Sequence, residues 1–367
     1  MEKMLQEYFL SYFYRPKNSA MIFHHLSIKQ VTKVTSLAVE IVFDIPNDLT
    51  ADFSYKAGQY LTLKATVNGQ EVRRAYSISS APHEAELKVV VKAVEHGLFS
   101  NHAMTLRAGD QIEVATPDGL FIHENSSSPA NYLMVAAGSG ITPITSMVKH
   151  ILYTEPESNV ALIYGNQSVA QTIYYEQFND LKDQYNERFH LQYCFSREDR
   201  DEALFGRVSK GNLNYFLKQK LEGIAFAKAY LCGPEEMITM TTNNLTEKEV
   251  LAKEDIKFEL FTTTDNKLEI KEDGHLSELT VILDDETHSL TLKRDENLLD
   301  VMLKNDIDAP YSCQGGICSS CICQIEEGSA DMAKNSILTD SEIEEGLTLA
   351  CQAYPTSAKI KINFDEV

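Results

Sequence analysis

No stretch of this chain approaches the unbroken run of roughly eighteen apolar residues that a membrane-spanning helix requires, so bilayer insertion is not expected. Positive charge is also scarce: 33 Lys and Arg stand against 54 Asp and Glu, a formal net charge of −21 at pH 7. A phosphate backbone or an anionic lipid surface would repel such a chain, which excludes nucleic acid as a partner. The deficit is uneven, because Asp265 to Val367 holds 8 basic against 22 acidic residues, net −14, leaving −7 for the rest. The opening MEKMLQEYFLSYFYRPKNS lacks the continuous apolar core and small-residue cleavage site of a secretory signal. A cytoplasmic protein with an N-terminal extension over 1–22 is therefore expected. Neither repeats nor low-complexity tracts occur. The 17 glycines and 10 prolines in 367 residues are ordinary globular usage, and the length predicts two or three domains.

What is present divides along the chain. From His24 to Phe121 the short runs LSIKQV, VEIVFDI, YLTLKATV, LKVVVKAV and QIEVATP alternate with turn signals, among them Asn68-Gly69, and predict an antiparallel β-barrel over 23–127. After Ser126-Ser127-Ser128-Pro129 the pattern changes to buried strands (NYLMVAA, VALIYG, FHLQYCFS, AYLCG) alternating with helical segments. That predicts an α/β domain over 128–262, with a parallel sheet covered by helices. A polar segment over 263–276 reads as a linker. Beyond it, 277–367 carries ELTVIL, HSLTLK, an Asp295-led helix NLLDVMLKN, a cysteine loop and the strand AKIKINF, a compact and mostly β unit.

Five of the seven cysteines fall in that last unit. An odd count so clustered argues for a metal site rather than disulfides. Cys313, Cys318 and Cys321 have the C-x4-C-x2-C spacing of a plant-type [2Fe–2S] loop, and Cys351 supplies a fourth thiolate from a distant segment. Gly315-Gly316 give the loop freedom to turn sharply. A four-thiolate zinc site is the alternative, but it usually shows C-x2-C pairs at both ends. Cys323 fits no ligand position and reads as a small core residue. On these residues 277–367 resembles a plant-type ferredoxin domain. The resemblance implies an α+β β-grasp fold and a one-electron carrier that meets its partner through its acidic surface.

In Arg73-Arg74-Ala75-Tyr76-Ser77-Ile78-Ser79-Ser80, strand alternation puts Arg74 and Tyr76 on one face and Ser77 near the end. A cation, an aromatic plane and a hydroxyl are what a flavin nucleotide needs, although such a segment alone is as readily an amphipathic surface. Downstream, VVVKAV leads into Glu95-His96-Gly97-Leu98-Phe99-Ser100, a glycine turn into a helix start that suits phosphate. Together these motifs resemble the ferredoxin–NADP reductase family over 24–262. The resemblance implies that Arg74, Ala75, Tyr76 and Ser77 hold the flavin. It further implies that Val90, Val91, Lys92, Gly97, Leu98, Phe99 and Ser100 contact its ribityl and phosphate groups largely through backbone atoms. FAD is expected over FMN.

Ala136-Ala137-Gly138-Ser139-Gly140-Ile141-Thr142-Pro143 follows an apolar strand and opens a helix, with Thr142 available as N-cap and Pro143 at the first helical position. Alone it would pass for an ordinary strand-to-helix turn. It matches the reductase family's GxGxxP element, as Cys232-Gly233-Pro234 matches the family's CGP element. The resemblance places Gly138, Thr142 and Pro143 at the pyridine nucleotide, and Cys232 and Gly233 beside the nicotinamide. Tyr76, Ser77 and Cys232 thus become the residues at the reaction centre. Ser196-Arg197, directly after a parallel strand, could bind a 2′-phosphate, so NADPH is expected over NADH; a solvated surface arginine is the competing reading. Phe261 is a candidate aromatic contact of the flavin, with core packing as its alternative.

A hydride donor releases two electrons, whereas a [2Fe–2S] cluster accepts one. A flavin can take a pair and return single electrons, which gives all three groups a reason to share one chain. Such chemistry requires no general acid or nucleophile from the protein. Reductase first and ferredoxin last resembles the reductase components of oxygenases, including those of phenylacetyl-CoA epoxidase systems. A separate oxygenase with a non-haem di-iron site is the implied partner. Another acceptor such as a fatty-acid desaturase, or a non-enzymatic flavin and iron–sulfur redox sensor, is the alternative.

Overall fold

The computed structural model describes residues 21–261 and 275–367. The expected extension and linker fall almost wholly outside them. The chain divides into two compact units, one over 23–264 and one containing 275–367.

The first unit begins with β1 (Phe23–Thr35), β2 (Ala38–Asp44), β3 (Tyr60–Val67), β4 (Gln70–Ser77) and β5 (Leu87–Lys92). Helix α1 (Leu98–Ala103) and β6 (Gln111–Ala115) complete its barrel. The strands pair antiparallel in the order β4-β3-β6-β1-β2-β5, and a bridge from Ile78 to Val89 curls the sheet into a half-barrel. Asn68 (φ 53°) and Gly69 (φ 80°) make the two-residue turn joining Val67 to Gln70, a left-handed geometry that Asn-Gly tolerates. Strand β5 buries three consecutive valines because both of its faces are covered. Val89 and Val91 fill the barrel core, while Val90 packs into the core of the adjoining α/β layer.

That layer contains β7 (Asn131–Ala137), α2 (Ile141–Thr154), β8 (Asn159–Asn166), α3 (Tyr175–Gln184) and β9 (Phe189–Phe195). It continues through β10 (Leu204–Phe205), α4 (Lys210–Lys220), β11 (Lys228–Gly233), α5 (Glu235–Glu247) and β12 (Ile256–Leu260). All pairings are parallel, in the order β10-β9-β8-β7-β11-β12. The chain leaves β7 toward one side and later returns to its other side as β11. A crevice therefore opens beyond the carboxyl ends of these two strands. Helix α2 starts earlier than the sequence predicted. Gly138 to Gly140 form a 3₁₀ turn that runs directly into it, with Gly140 at the N-cap position. Thr142 is accordingly inside the first turn, its Oγ1 donating back to the Ser139 carbonyl (3.1 Å), and Pro143 is the third helical residue rather than the first. Proline is tolerated there because first-turn N–H groups have no intrahelical partner.

Two polar joints, the first of them buried, hold barrel and α/β layer together. His123, at the barrel's exit, bonds Glu155 through Nε2 (2.7 Å) and Tyr230 through Nδ1 (3.0 Å). The Glu155 carboxylate also accepts from the Tyr132 hydroxyl (3.0 Å), the Ser158 hydroxyl (2.8 Å) and the Ser126 N–H (3.2 Å). Burial alone would raise Glu155, but these donors hold it below the usual carboxylate value. Burial meanwhile lowers His123, so the pair is a carboxylate facing a neutral imidazole. At the second joint, Tyr174 reaches Glu40 of β2 (2.5 Å) and Ser79 (3.0 Å). Its φ of +62° is unusual for a non-glycine residue and is repaid by this bonding.

The second unit comprises β13 (Leu276–Leu283), β14 (Glu286–Lys293), α6 (Leu298–Lys304), β15 (Ile322–Glu327) and β16 (Ala330–Met332). It ends with α7 (Asp340–Glu344), β17 (Leu347–Leu349), β18 (Ala353–Pro355) and β19 (Lys359–Asn363). The mixed sheet runs β14-β13-β19-β15-β17, with β13 and β19 parallel and the other neighbours antiparallel. Helix α6 is capped by Asn297, whose side chain accepts from the Asp300 N–H (2.8 Å), and not led by Asp295 as its sequence suggested. Leu298, Leu299, Val301 and Met302 bury its apolar face in the unit's core. Among the described residues no helix is long and apolar enough to cross a membrane.

Candidate functional site

Beyond β7 and β11 lies a cleft of about 920 Å³. Of the residues singled out in the sequence, Lys92, Gly138, Ser196, Arg197, Gly233, Pro234 and Phe261 line it. Thr142 and Pro143 do not; both are buried in the first turn of α2. Arg207 and Ser209, from the loop between β10 and α4, and Lys210, the first residue of α4, add to the rim beside Arg197. Lys92 enters from the barrel, and burial lowers its ammonium pKa, so a desolvated cation faces the Gly138 turn. A concave, glycine-floored site rimmed by cations fits a dinucleotide.

Cys232 lies directly behind this floor. It is fully buried, and a Cβ placed on Gly140 would come within 2.2 Å of its carbonyl oxygen. Only glycine allows the two cleft-lining segments to approach so closely. In the pairing of β11 with β12, Cys232 is opposite Glu259, whose carboxylate accepts a hydrogen bond from the Ser77 hydroxyl (3.1 Å). Burial, and then the charge of Glu259, push the Cys232 thiol well above its usual value. It is a neutral, polarizable wall and not a thiolate nucleophile. Ser77, Cys232 and Glu259 thus meet from β4, β11 and β12, with Phe261 one residue past the end of β12.

On the barrel, Arg74 is exposed and Tyr76 half-buried, its ring 5.4 Å from that of Phe99. This contact ties β4 to α1. The Phe99 side chain belongs to the barrel core, leaving its backbone for a ligand. A Cβ on Gly97 would strike Ser100 Oγ at 2.3 Å, so the turn tightens around a residue without a side chain. Ser100 Oγ in turn accepts from the Val94 N–H (3.2 Å). An exposed guanidinium, an aromatic face and a tight turn opening α1 fit a flavin nucleotide.

In the second unit Cys313, Cys318, Cys321 and Cys351 come together. Hydrogen bonds from the Cys318 and Cys351 thiols, and from the Gly315 and Ile317 N–H groups, hold the Cys313 sulfur far below the usual thiol value. Cys318 and Cys351 are driven up by that same anion. Three of these cysteines are buried and Cys313 partly so, a four-sulfur donor set that fits a [2Fe–2S] cluster. Left-handed conformations at Gln314 (φ 52°) and Gly316 (φ 70°) make the loop's bend. Of the two glycines in the motif it is therefore Gly316 that uses its freedom. Its missing Cβ also clears the Lys334 carbonyl, which would lie at 2.7 Å. Cys323 and Cys194 are fully buried core residues.

Family models match all three parts. An oxidoreductase FAD-binding domain covers 25–123, an oxidoreductase NAD-binding domain 134–243, and a 2Fe-2S iron-sulfur cluster binding domain 281–356. One component of the 1,2-phenylacetyl-CoA epoxidase of Escherichia coli K12 is 35% identical over 351 residues, spanning 94% of this chain and 98% of that protein. The chain belongs to the flavin- and iron–sulfur-containing oxygenase reductases. It is also similar to the ferredoxin reductase component of 3-ketosteroid-9-alpha-monooxygenase from Rhodococcus rhodochrous, at 30% identity over 92% of this chain and 96% of that one. In fold it resembles phthalate dioxygenase reductase, with TM-score 0.59, 22% identity and coverage of 93% and 98% of the two chains. This oxygenase reductase passes electrons from a reduced pyridine nucleotide through FAD to a [2Fe–2S] cluster.

Sequence reasoning missed Glu259, Arg207 and Lys210 in this reductase. Glu259 carries no local signal, because its position beside Ser77 depends on the register of β12 against β11. Arg207 belongs to no motif in the sequence. No motif connects that residue with Ser196, although β9 and β10 pair alongside them.

Proposed function

We propose that this oxygenase reductase uses NADPH in preference to NADH and serves a separate oxygenase component of the phenylacetyl-CoA epoxidase type. The nucleotide preference rests on one observation: Ser196, Arg197, Arg207 and Lys210 share the rim of the cleft, where an adenosine 2′-phosphate would sit. The acidic neighbour does not oppose it. Glu198 accepts the Val169 N–H (2.8 Å) and pairs with Arg200 (3.3 Å), which keeps its charge engaged elsewhere.

On this reading the cluster ligands are Cys313, Cys318, Cys321 and Cys351. Arg74 neutralises the flavin phosphate, Tyr76 lies against the ring system, Ser77 stands at the hydride-accepting edge, and Val90 to Lys92 and Gly97 to Ser100 supply backbone contacts. Bound FAD would accept a hydride and release its electrons singly. Glu259 orients the Ser77 hydroxyl, and the neutral Cys232 with Gly233 leaves room for the nicotinamide without competing as a nucleophile. Lys92 offsets the charge of the nucleotide's pyrophosphate. Similarity to the phenylacetyl-CoA and ketosteroid system reductases supports an oxygenase partner.

The test combines kcat/KM for both nucleotides, using ferricyanide as acceptor, with reconstitution against a purified phenylacetyl-CoA epoxidase oxygenase component. The proposal expects NADPH to be favoured at least tenfold and phenylacetyl-CoA to be consumed with O₂. Equal use of NADH, or ferricyanide turnover without phenylacetyl-CoA consumption, would overturn the corresponding half.

A further inference from the structure

Tyr164 stands on β8 with no exposed surface and does not line the cleft. Its hydroxyl nevertheless reaches the dinucleotide turn, donating to the Gly138 carbonyl at 3.2 Å, with the Ile173 carbonyl at 3.4 Å as its other acceptor. Gly138 has φ +57°, and glycine occupies such conformations and their alternatives at little cost. The Gly138 carbonyl also accepts from the Ile141 N–H within the 3₁₀ turn, so the Tyr164 hydroxyl is a second donor to the Gly138–Ser139 peptide. A planar trans peptide directs its N–H opposite to its carbonyl. With the carbonyl held by the Tyr164 hydroxyl and the Ile141 N–H together, the Ser139 N–H faces the opposite side, where Ser139 lines the cleft. Were the peptide to flip, a carbonyl dipole would face the nucleotide's anionic groups instead.

We infer that Tyr164 is a positioning residue for the pyridine nucleotide, its buried hydroxyl reinforcing the backbone bond from the Ile141 N–H so that the Gly138–Ser139 peptide keeps an N–H presented to the pyrophosphate. Burial pushes the phenol well above its usual pKa, so the hydroxyl remains a donor throughout the working pH range. The Ile173 carbonyl immediately precedes Tyr174, which grips the barrel, so the same hydroxyl stands between the nucleotide turn and the second interdomain joint.

The inference rests on the proposed placement of the nucleotide, and two variants separate its failure from failure of that placement. Tyr164→Phe removes only the hydroxyl. Because the pyrophosphate is common to both nucleotides, KM for NADPH and for NADH should rise by the same factor, about fivefold for loss of one buried neutral hydrogen bond. The kcat with ferricyanide should stay within twofold, while FAD content and dithionite reduction remain unchanged. Arg207→Ala should raise KM for NADPH alone. KM values for Tyr164→Phe within 1.5-fold of wild type for both nucleotides, or a fall in kcat at constant KM, would overturn the inference. If Arg207→Ala leaves the NADPH to NADH ratio unchanged, the placement of the nucleotide fails and this inference with it. Should Tyr164→Phe lose its flavin on purification, Tyr164→Leu replaces it with the same paired rise expected.

Discussion

Gly140→Ala should cripple flavin reduction by NADPH while leaving the flavin itself intact. The added Cβ would lie 2.2 Å from the Cys232 carbonyl oxygen, 2.5 Å from its carbon and 2.9 Å from the Gly233 nitrogen. All three are backbone atoms, so no flexible side chain can swing aside. Even reaching 3.0 Å requires the turn after β7 and the end of β11 to separate by roughly 0.8 Å. Overpacking of this kind costs about 1–3 kcal/mol in stability. Displacement on the order of 1 Å between donor and acceptor can cost about 100-fold in a step that depends on close approach. Anaerobic stopped-flow mixing of NADPH with the variant would read that loss directly, and dithionite reduction of the same sample supplies the control. A reduction rate within twofold of wild type, with unchanged melting temperature, would show that the Gly140 to Cys232 contact does not set the nicotinamide's position.

Cys351→Ala should lose iron and nearly all cytochrome c reduction, yet keep NADPH–ferricyanide turnover within about twofold, which iron analysis and the two acceptor assays would check. Glu259→Gln should slow flavin reduction about tenfold, roughly 1.4 kcal/mol, at unchanged FAD content, because the Ser77 hydroxyl loses a charged acceptor. His123→Gln should lower the melting temperature at pH 7 and flatten its acid dependence. The folded pKa of His123 lies below its unfolded value of 6.5, so the unfolded chain binds the extra proton and stability falls as the pH drops below about 6.5. Removing the imidazole should take away up to about 1.4 kcal/mol per pH unit of that slope. Glu155, also held low, loses its contribution only at still lower pH, and His150, pushed down to about 4 by burial, keeps its share of the slope. Melting curves from pH 7 to 5 would decide; an unchanged slope in His123→Gln would refute the assignment.

The parts that sequence reasoning found are those written in local spacing. Cys313, Cys318 and Cys321 share one loop, Gly138 and Gly140 share one turn, and Asn68-Gly69 encodes its hairpin through backbone conformation alone. Residues joined only by register were not legible. Glu259 meets Ser77 across 182 positions because β12 pairs with β11 in one particular alignment. The buried joint of His123, Glu155, Tyr132 and Tyr230 draws on four segments, none of which carries a motif. The helix starts were misplaced for a related reason. Thr142 looks like a cap in isolation, but the 3₁₀ turn at Gly138 to Gly140 has already begun winding the chain. Asp295 likewise looks like a helix leader, but Asn297 is the residue whose side chain reaches an N–H of the first turn.

The central claim is that one chain takes reducing equivalents from a pyridine nucleotide as a pair and hands them on singly. An anaerobic titration with NADPH, followed by optical and electron paramagnetic resonance spectra on protein of known flavin, iron and zinc content, tests it most directly. The account predicts one FAD and two irons per chain, with the cluster's spin signal growing as the flavin is reduced. Flavin that is fully reduced while the cluster stays oxidised, or zinc in the four-cysteine site, would contradict it.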